Sequence, residues 1–264
     1  MPSVIVIHAT GGPRRDEASL RLEWVTSMLD GLALAGARVP DDLDAGIVSL
    51  DGADVDDRAP LTPWEDEVVA RWWRSARFEG AFADRRDDPS DPLPELGRSR
   101  YFTGLPPDEL VRTVRVMTSV LVADEAGRAA ARRVADAITP ETRVVVGFGL
   151  GAVPAMDALS AADHAGSVDT LITIGSPLAL RWAPSLPGRS APPASLPAVR
   201  AWVNLVDVGD TLAEGGGLAR HYGEAVQDVS LDCDPRLRAP RPYAATAEFG
   251  RALAGAPFGT DVPV

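Results

Sequence analysis

One stretch near the middle of the chain limits the possible folds more than any other. Residues 144–146 are three consecutive valines, glycines follow at Gly147, Gly149 and Gly151, and residues 152–159 are largely apolar. A β-branched run of this kind is typical of a buried strand, and glycine permits backbone angles that other residues avoid. The stretch therefore predicts a strand, a tight turn and a helix in direct succession.

The same alternation of strand and helix signals continues along the whole chain. Apolar runs predict strands at residues 4–7, 45–50, 143–146, 168–175, 199–205 and 225–231. Helical spacing of apolar residues predicts helices at 16–37, 65–79, 108–122, 124–138, 150–161 and 243–254. This alternation indicates a mostly parallel, doubly wound α/β sheet with helices on both faces. We predict a single domain over residues 1–264, with a proline-rich surface loop at 182–197.

Residues 51–107 depart from this pattern. They are rich in Asp, Arg and Pro, and 84–100 is predicted to be a charged loop broken by prolines. The aromatic residues of this stretch are Trp64, Trp72, Trp73, Phe78, Phe82, Tyr101 and Phe102. An aromatic insertion between two strands of an α/β core is placed where a helical lid would lie. The alternative is that these side chains pack the insertion onto the core.

Charge and composition exclude several classes of function. The formal net charge is -12, and all 26 basic residues are arginine. Such acidity argues against a nucleic-acid partner and against an anionic membrane surface, while the absence of lysine removes Schiff-base chemistry. Cys233 stands alone, so no internal disulfide is expected, and no apolar run is long enough to cross a bilayer. With no secretory leader visible, we expect a cytoplasmic protein.

Four segments in order resemble the α/β-hydrolase superfamily, in particular lipase- and esterase-like bacterial hydrolases. They are residues 4–11 (a strand followed by a His-Gly loop), 144–159 (the nucleophile elbow), 171–178 (the next strand) and 202–210 (a strand ending in acidic residues). The resemblance implies an α/β-hydrolase fold with a lid at about 51–107. It also implies a serine nucleophile at the elbow, with a histidine base and an acid further along the chain.

Two of these catalytic parts are missing. The elbow pattern is G-x-S-x-G, and the serine position is occupied by Gly149. The loop expected to carry the histidine, residues 234–243, contains none, and Arg238 stands near that position. Arginine remains protonated and cannot act as a general base at neutral pH. The chain therefore resembles a member of the superfamily that has lost both the nucleophile and the base.

Other parts of such a site remain in the sequence. Asp210, or alternatively Asp207, is the residual acid at a strand end. The resemblance places oxyanion or ligand-binding groups at His8, Ala9 and Thr10 and at the backbone N–H of Leu150. A further histidine, His221, follows the acidic loop in the expected chain order. It is an alternative base, and the competing interpretation is a helix-end histidine.

Three functional hypotheses follow. The first is a pseudoenzyme that binds a small ligand or a protein partner in the residual pocket, with no cofactor and no metal. The second is a non-covalent enzyme in the same pocket, either a lyase, cyclase or isomerase or a weak hydrolase using His221. The third is a dinucleotide binder, because residues 147–152 also fit G-x-G-x-x-[G/A]. That fingerprint expects an acidic residue at the end of the next strand, whereas Asp169 lies at its beginning.

Overall fold

A six-stranded parallel sheet forms the centre of the molecule. The computed structural model describes residues 3–10, 15–51, 59–78, 92–99, 102, 105–122, 125–160, 168–182, 196, 199–207, 217–233 and 240–255. The strands are β1 (Val4–Ala9), β2 (Ala45–Ser49), β3 (Val144–Gly149), β4 (Val168–Ile174), β5 (Val199–Asp207) and β6 (Gln227–Leu231). They lie in the order β2-β1-β3-β4-β5-β6, and every pair is parallel. The predicted α/β class with a parallel sheet is confirmed.

Helices cover both faces of this sheet. They are α1 (Glu17–Leu34), α2 (Pro63–Phe78), α3 (Leu93–Leu96), α4 (Pro107–Val122), α5 (Glu125–Ala137), α6 (Ala152–Ser160), α7 (Ala219–Tyr222), α8 (Arg241–Ala244) and α9 (Ala247–Leu253). One face packs against α1, α8 and α9, and the other packs against α2, α4, α5 and α6. The helices that follow β1 and β3 therefore leave on opposite faces. In open α/β sheets this change of direction opens a crevice at the carboxyl ends of the two strands.

The observed bounds differ from the predicted ones where tertiary contacts decide them. β1 and β3 run on to Ala9 and Gly149 because these two residues pair in register across the sheet. The predicted closing helix is divided into α8 and α9, since the Thr246 side chain accepts the N–H of Phe249 and starts a new helix there. Within the predicted loop 84–100, α3 forms a short helical turn.

The described part of the 51–107 insertion packs against the sheet. Trp72, Trp73 and Phe102 belong to the same buried cluster as Ile7 of β1. This observation agrees with the packing interpretation of those three aromatics. Phe82 and Tyr101 lie outside the described residues, as does the side chain of Phe78. A lid function for the insertion stays a prediction.

The N-terminus of α2 is fixed by a reciprocal pair of hydrogen bonds. Glu65 Oε2 accepts the N–H of Thr62 at 2.7 Å, and Thr62 Oγ1 accepts the N–H of Glu65 at 3.3 Å. This is a capping box, which satisfies two backbone donors that the first helical turn would otherwise leave unpaired. The helix therefore begins at Pro63, two residues earlier than the apolar spacing predicts.

The outer edge of β2 is covered by two arginine side chains. β2 is the terminal strand of the described sheet, so alternate residues direct their backbone groups away from β1. Arg21 Nε donates to the outward carbonyl of Ala45 at 2.9 Å, and Arg133 Nη2 donates to that of Ser49 at 3.1 Å. Charged side chains on an edge strand hinder pairing with a further strand.

We expect the double variant Arg21→Ala/Arg133→Ala to self-associate, because it exposes two carbonyl acceptors on the β2 edge. The measurement is molar mass by size-exclusion chromatography with light scattering across a concentration series. Arg38→Ala/Arg132→Ala is the matched control, since it removes the same charge from exposed positions. Equal molar masses for the two double variants at every concentration would show that the arginines do not protect the edge.

Candidate functional site

The elbow forms the tight turn that the sequence predicts. Gly149 has φ +57°, in the left-handed region that favours glycine, and α6 begins three residues later. A Cβ at Gly149 would lie 2.6 Å from the carbonyl oxygen of Ala9, and one at Gly147 would lie 2.6 Å from Ala152 Cα. A Cβ at Gly151 would contact the carbonyl oxygen of Ile7. All three glycines therefore permit close backbone approaches.

The carboxyl ends of β1 and β3 are joined at the elbow. The N–H of Leu150 donates to the carbonyl oxygen of Ala9 at 2.9 Å, so the strand pairing continues to the turn. The N–H of Thr10 donates to Asp51 Oδ1 at 2.6 Å. An oxyanion hole needs donors directed at the position of the ligand. In this conformation both backbone N–H groups already have acceptors within the chain.

A buried polar cluster stands at the ends of β1 and β2. His8 Nε2 lies 3.3 Å from Asp51 Oδ2, and both side chains are fully buried. Trp24 Nε1 donates to His8 Nδ1 at 3.4 Å, and the imidazole stacks on Phe148 with ring centroids 5.2 Å apart. Because Nδ1 accepts this bond, the proton of a neutral His8 resides on Nε2 and faces Asp51. His8 is therefore part of the core, and each of its nitrogens faces a polar group of the chain.

Ser49 lies beside His8 in the sheet register, so a serine, a histidine and an aspartate are neighbours here. The arrangement is not a catalytic triad. The two nitrogens of His8 face Trp24 and Asp51, which leaves neither nitrogen to take a proton from Ser49. The Ser49 hydroxyl is buried without a hydrogen-bond partner. Sequence reasoning missed Trp24, Ser49 and Asp51 as members of this cluster, and the one usable signal was the position of Asp51 just after a predicted strand.

The structure describes two of the predicted acid and base residues and not the other two. Asp210 and Arg238 lie outside the described residues. Asp207 is buried, and its Oδ2 accepts the N–H of Cys233 at 2.6 Å, which ties the end of β5 to the segment after β6. His221 lies in α7, where its Nε2 accepts a hydrogen bond from Arg220 Nε at 3.1 Å. A base role for His221 stays a prediction.

A second polar network fixes α7 to the sheet. Thr173 Oγ1 donates to Asn204 Oδ1 at 2.9 Å, and Asn204 Nδ2 donates to Asp228 Oδ1 at 2.8 Å. The same carboxylate accepts the N–H groups of Leu218 and Ala219, both at 2.8 Å. Asp228 therefore satisfies the first backbone donors of α7 and one side chain of β5. No local sequence pattern indicates this role.

Cavities on the described surface include two that lie away from the elbow. One of about 800 Å³ lies between α1 and α8, with Asp30 and Arg241 in its wall. The other, of about 680 Å³, runs beside the edge of β2 and is lined in part by Arg15, Ser49 and Arg133. The lining of these two cavities does not include the elbow.

Comparison with known proteins adds no relative. No family model, curated protein or solved structure matches the chain. Within the described residues, no helix is both long and apolar enough to cross a membrane, and no cluster of three or more potential ligands is placed to hold a metal ion.

Proposed function

We propose that the chain is a non-hydrolytic, α/β-hydrolase-like protein that acts by binding a small ligand or a protein partner at the carboxyl edge of its sheet. The observation that carries this proposal is the elbow itself. Its central residue is Gly149, and the space for a side chain there is taken by the carbonyl of Ala9. The elbow also stands where the helices after β1 and β3 diverge, which is the preferred ligand position in open α/β sheets.

Acyl-enzyme chemistry needs a nucleophile and a donor for the developing oxyanion. Gly149 supplies no nucleophile. The N–H of Leu150, which would be the donor after the elbow, is directed at Ala9 instead. Both requirements therefore fail at the same turn. This coincidence supports binding over bond cleavage.

The dinucleotide hypothesis gains little from the geometry of α6. A pyrophosphate bound at a helix N-terminus uses several unpaired backbone N–H groups. Here Gly151 donates to the carbonyl of Phe148, Val153 donates to that of Leu150, and Pro154 has no N–H. Non-covalent acid–base catalysis needs a titratable group directed at the substrate, and His8 at this edge faces Trp24 and Asp51 with its two nitrogens. We therefore favour the binding hypothesis over both alternatives.

We expect no fluorophosphonate labelling of the purified protein and no turnover of p-nitrophenyl acetate above buffer. Gly149→Ser should gain neither activity, because its new side chain meets Ala9 and finds no base. The strain should lower the free energy of unfolding by about 2 kcal/mol. The measurements are gel fluorescence after probe treatment, initial rates, and urea denaturation.

Gly149→Ala is the matched control, because it introduces the same steric conflict without a hydroxyl. Equal stability losses in the two variants would attribute the loss to the Cβ. Labelling of the wild-type protein that persists through purification would refute the proposed function. Labelling of Gly149→Ser alone would show that a working base survives in the chain.

A further inference from the structure

The carboxylate of Asp51 is held by a set of donors at the end of β1. Oδ1 accepts the N–H of Thr10 at 2.6 Å and its hydroxyl at 3.1 Å, while Oδ2 lies 3.3 Å from His8 Nε2. We propose that this end of β1 is a carboxylate-binding site, which Asp51 occupies from within the chain, and that its external ligand is a small monocarboxylate. The inference rests on the proposed binding function and names the ligand class.

The donors recognise a carboxylate by direction and shape. Each oxygen of the carboxylate faces a different residue, Thr10 on one side and His8 on the other. Trp24 Nε1 donates to His8 Nδ1, so the proton of a neutral His8 lies on Nε2 and points toward the site. Two donor side chains and one backbone N–H therefore converge on one planar anion. Hydrogen bonds to an ionised acceptor are stronger than neutral ones.

The carboxylate of Asp51, which is tethered to the backbone, does not form a hydrogen bond with every one of these donors. His8 Nε2 and Asp51 Oδ2 are both buried and 3.3 Å apart, yet neither has a directed hydrogen bond. A buried polar atom without a well-formed hydrogen bond costs free energy. The backbone of Asp51 limits how its carboxylate can turn. A free carboxylate has no such tether and can align with Thr10 and His8 together.

The position of the site agrees with ligand binding. Thr10 follows β1 directly, beside the crevice expected where the helices after β1 and β3 diverge. Asp51 comes two residues after the end of β2, so its exchange leaves the strand pairing of β1 and β2 intact. As the internal occupant, Asp51 excludes an external carboxylate until it moves away. Asp51 thus serves as an autoinhibitory residue.

The test removes the carboxylate of Asp51 and supplies a free carboxylate in solution. Asp51→Gly removes a group of the size of acetate, and Asp51→Ala removes one of the size of formate. We expect sodium acetate to raise the unfolding midpoint of Asp51→Gly by about 4 °C at roughly tenfold excess over its dissociation constant. Sodium chloride of equal ionic strength and neutral acetamide should not. Formate should act best on Asp51→Ala, and the wild-type protein should respond only at a higher anion concentration, because the external carboxylate must first displace Asp51.

Asp16→Gly is the matched control. Hydrogen bonds from Ser19, the backbone N–H first, lower the pKa of Asp16, so this residue also presents an ionised carboxylate to a backbone donor. Its site is exposed, and acetate should not stabilise that variant. Equal acetate responses in Asp16→Gly and Asp51→Gly would overturn the proposal, because they would show a nonspecific anion effect.

Asp51→Asn is a further test that remains available if the variants with smaller side chains, Asp51→Gly and Asp51→Ala, do not fold. The amide keeps the size of the side chain but holds the donors less well, so acetate should displace it and shift the Thr10 amide signal in a ¹⁵N correlation spectrum. An unmoved Thr10 signal with a folded Asp51→Asn variant would overturn the proposal. If acetate fails and the protein also resists fluorophosphonate, the ligand class is wrong and the binding function stands. Labelling by fluorophosphonate refutes the binding function whatever acetate does.

Discussion

Gly250→Ala is expected to lower the free energy of unfolding by about 3 kcal/mol or more, the upper range for an overpacked interior. A Cβ at Gly250 would collide with the carbonyl oxygen of Gly31, where α9 crosses α1. One at Gly31 would collide in turn with the carbonyl of Ala244. Because all these colliding atoms are backbone, the helices must move apart, and Phe249 would lose its place in the core. Chemical denaturation followed by circular dichroism measures the loss.

Gly255→Ala is the control that separates this collision from the backbone strain of replacing a glycine with positive φ. Gly255 has φ +65°, and no atom lies within 4 Å of the point that a Cβ would occupy, so only backbone strain of about 1 kcal/mol is expected there. Comparable losses in Gly250→Ala and Gly255→Ala would contradict the close packing of α1 against α9. A much larger loss in Gly250→Ala would support it.

Asp228→Ala should destabilise the protein by about 3 kcal/mol, because it leaves several donors without their shared acceptor. Asn204 Nδ2 and the N–H groups of Leu218 and Ala219 all donate to this carboxylate. Gly217 has a left-handed backbone, and a Cβ there would collide with the same carboxylate. The expected readout is a lower urea midpoint, together with faster amide exchange at Leu218 and Ala219.

Asp232→Ala supplies the comparison for charge alone. It removes one negative charge from an exposed position just after β6, so little change in stability is expected. Protection of the Leu218 and Ala219 amides should also be unchanged in this variant. If Asp228→Ala left amide exchange in α7 as slow as in Asp232→Ala, the network would not be what fixes that helix.

Much of the fold could be predicted from local patterns. The apolar runs of β1, β3 and β4 and the spacing of α1, α4 and α5 follow from burial on one or both sides. The ends of elements were harder to predict. β1 continues through His8 and Ala9 because these residues pair with Phe148 and Gly149, and no pattern within residues 4–11 contains that pairing.

The candidate site also has one part that could be predicted from local sequence and another that could not. The turn at Gly149 could be predicted because glycine spacing after a strand has a local cause. The partners of Thr10 and His8 could not, because Asp51 follows the next strand in the chain and meets them only when β1 and β2 pair. The hydrogen bond from Leu150 to Ala9 likewise depends on the strands being joined as far as the elbow.

The glycine contact between α1 and α9 also has a consequence for the order of folding. These helices lie near opposite ends of the described chain, and α9 helps to cover the sheet face on which Trp24 of α1 packs. Closing so distant a contact requires a large loss of chain entropy, and topologies rich in distant contacts fold slowly. During synthesis that face stays incomplete until α9 leaves the ribosome, so the nascent chain carries exposed apolar surface up to that point.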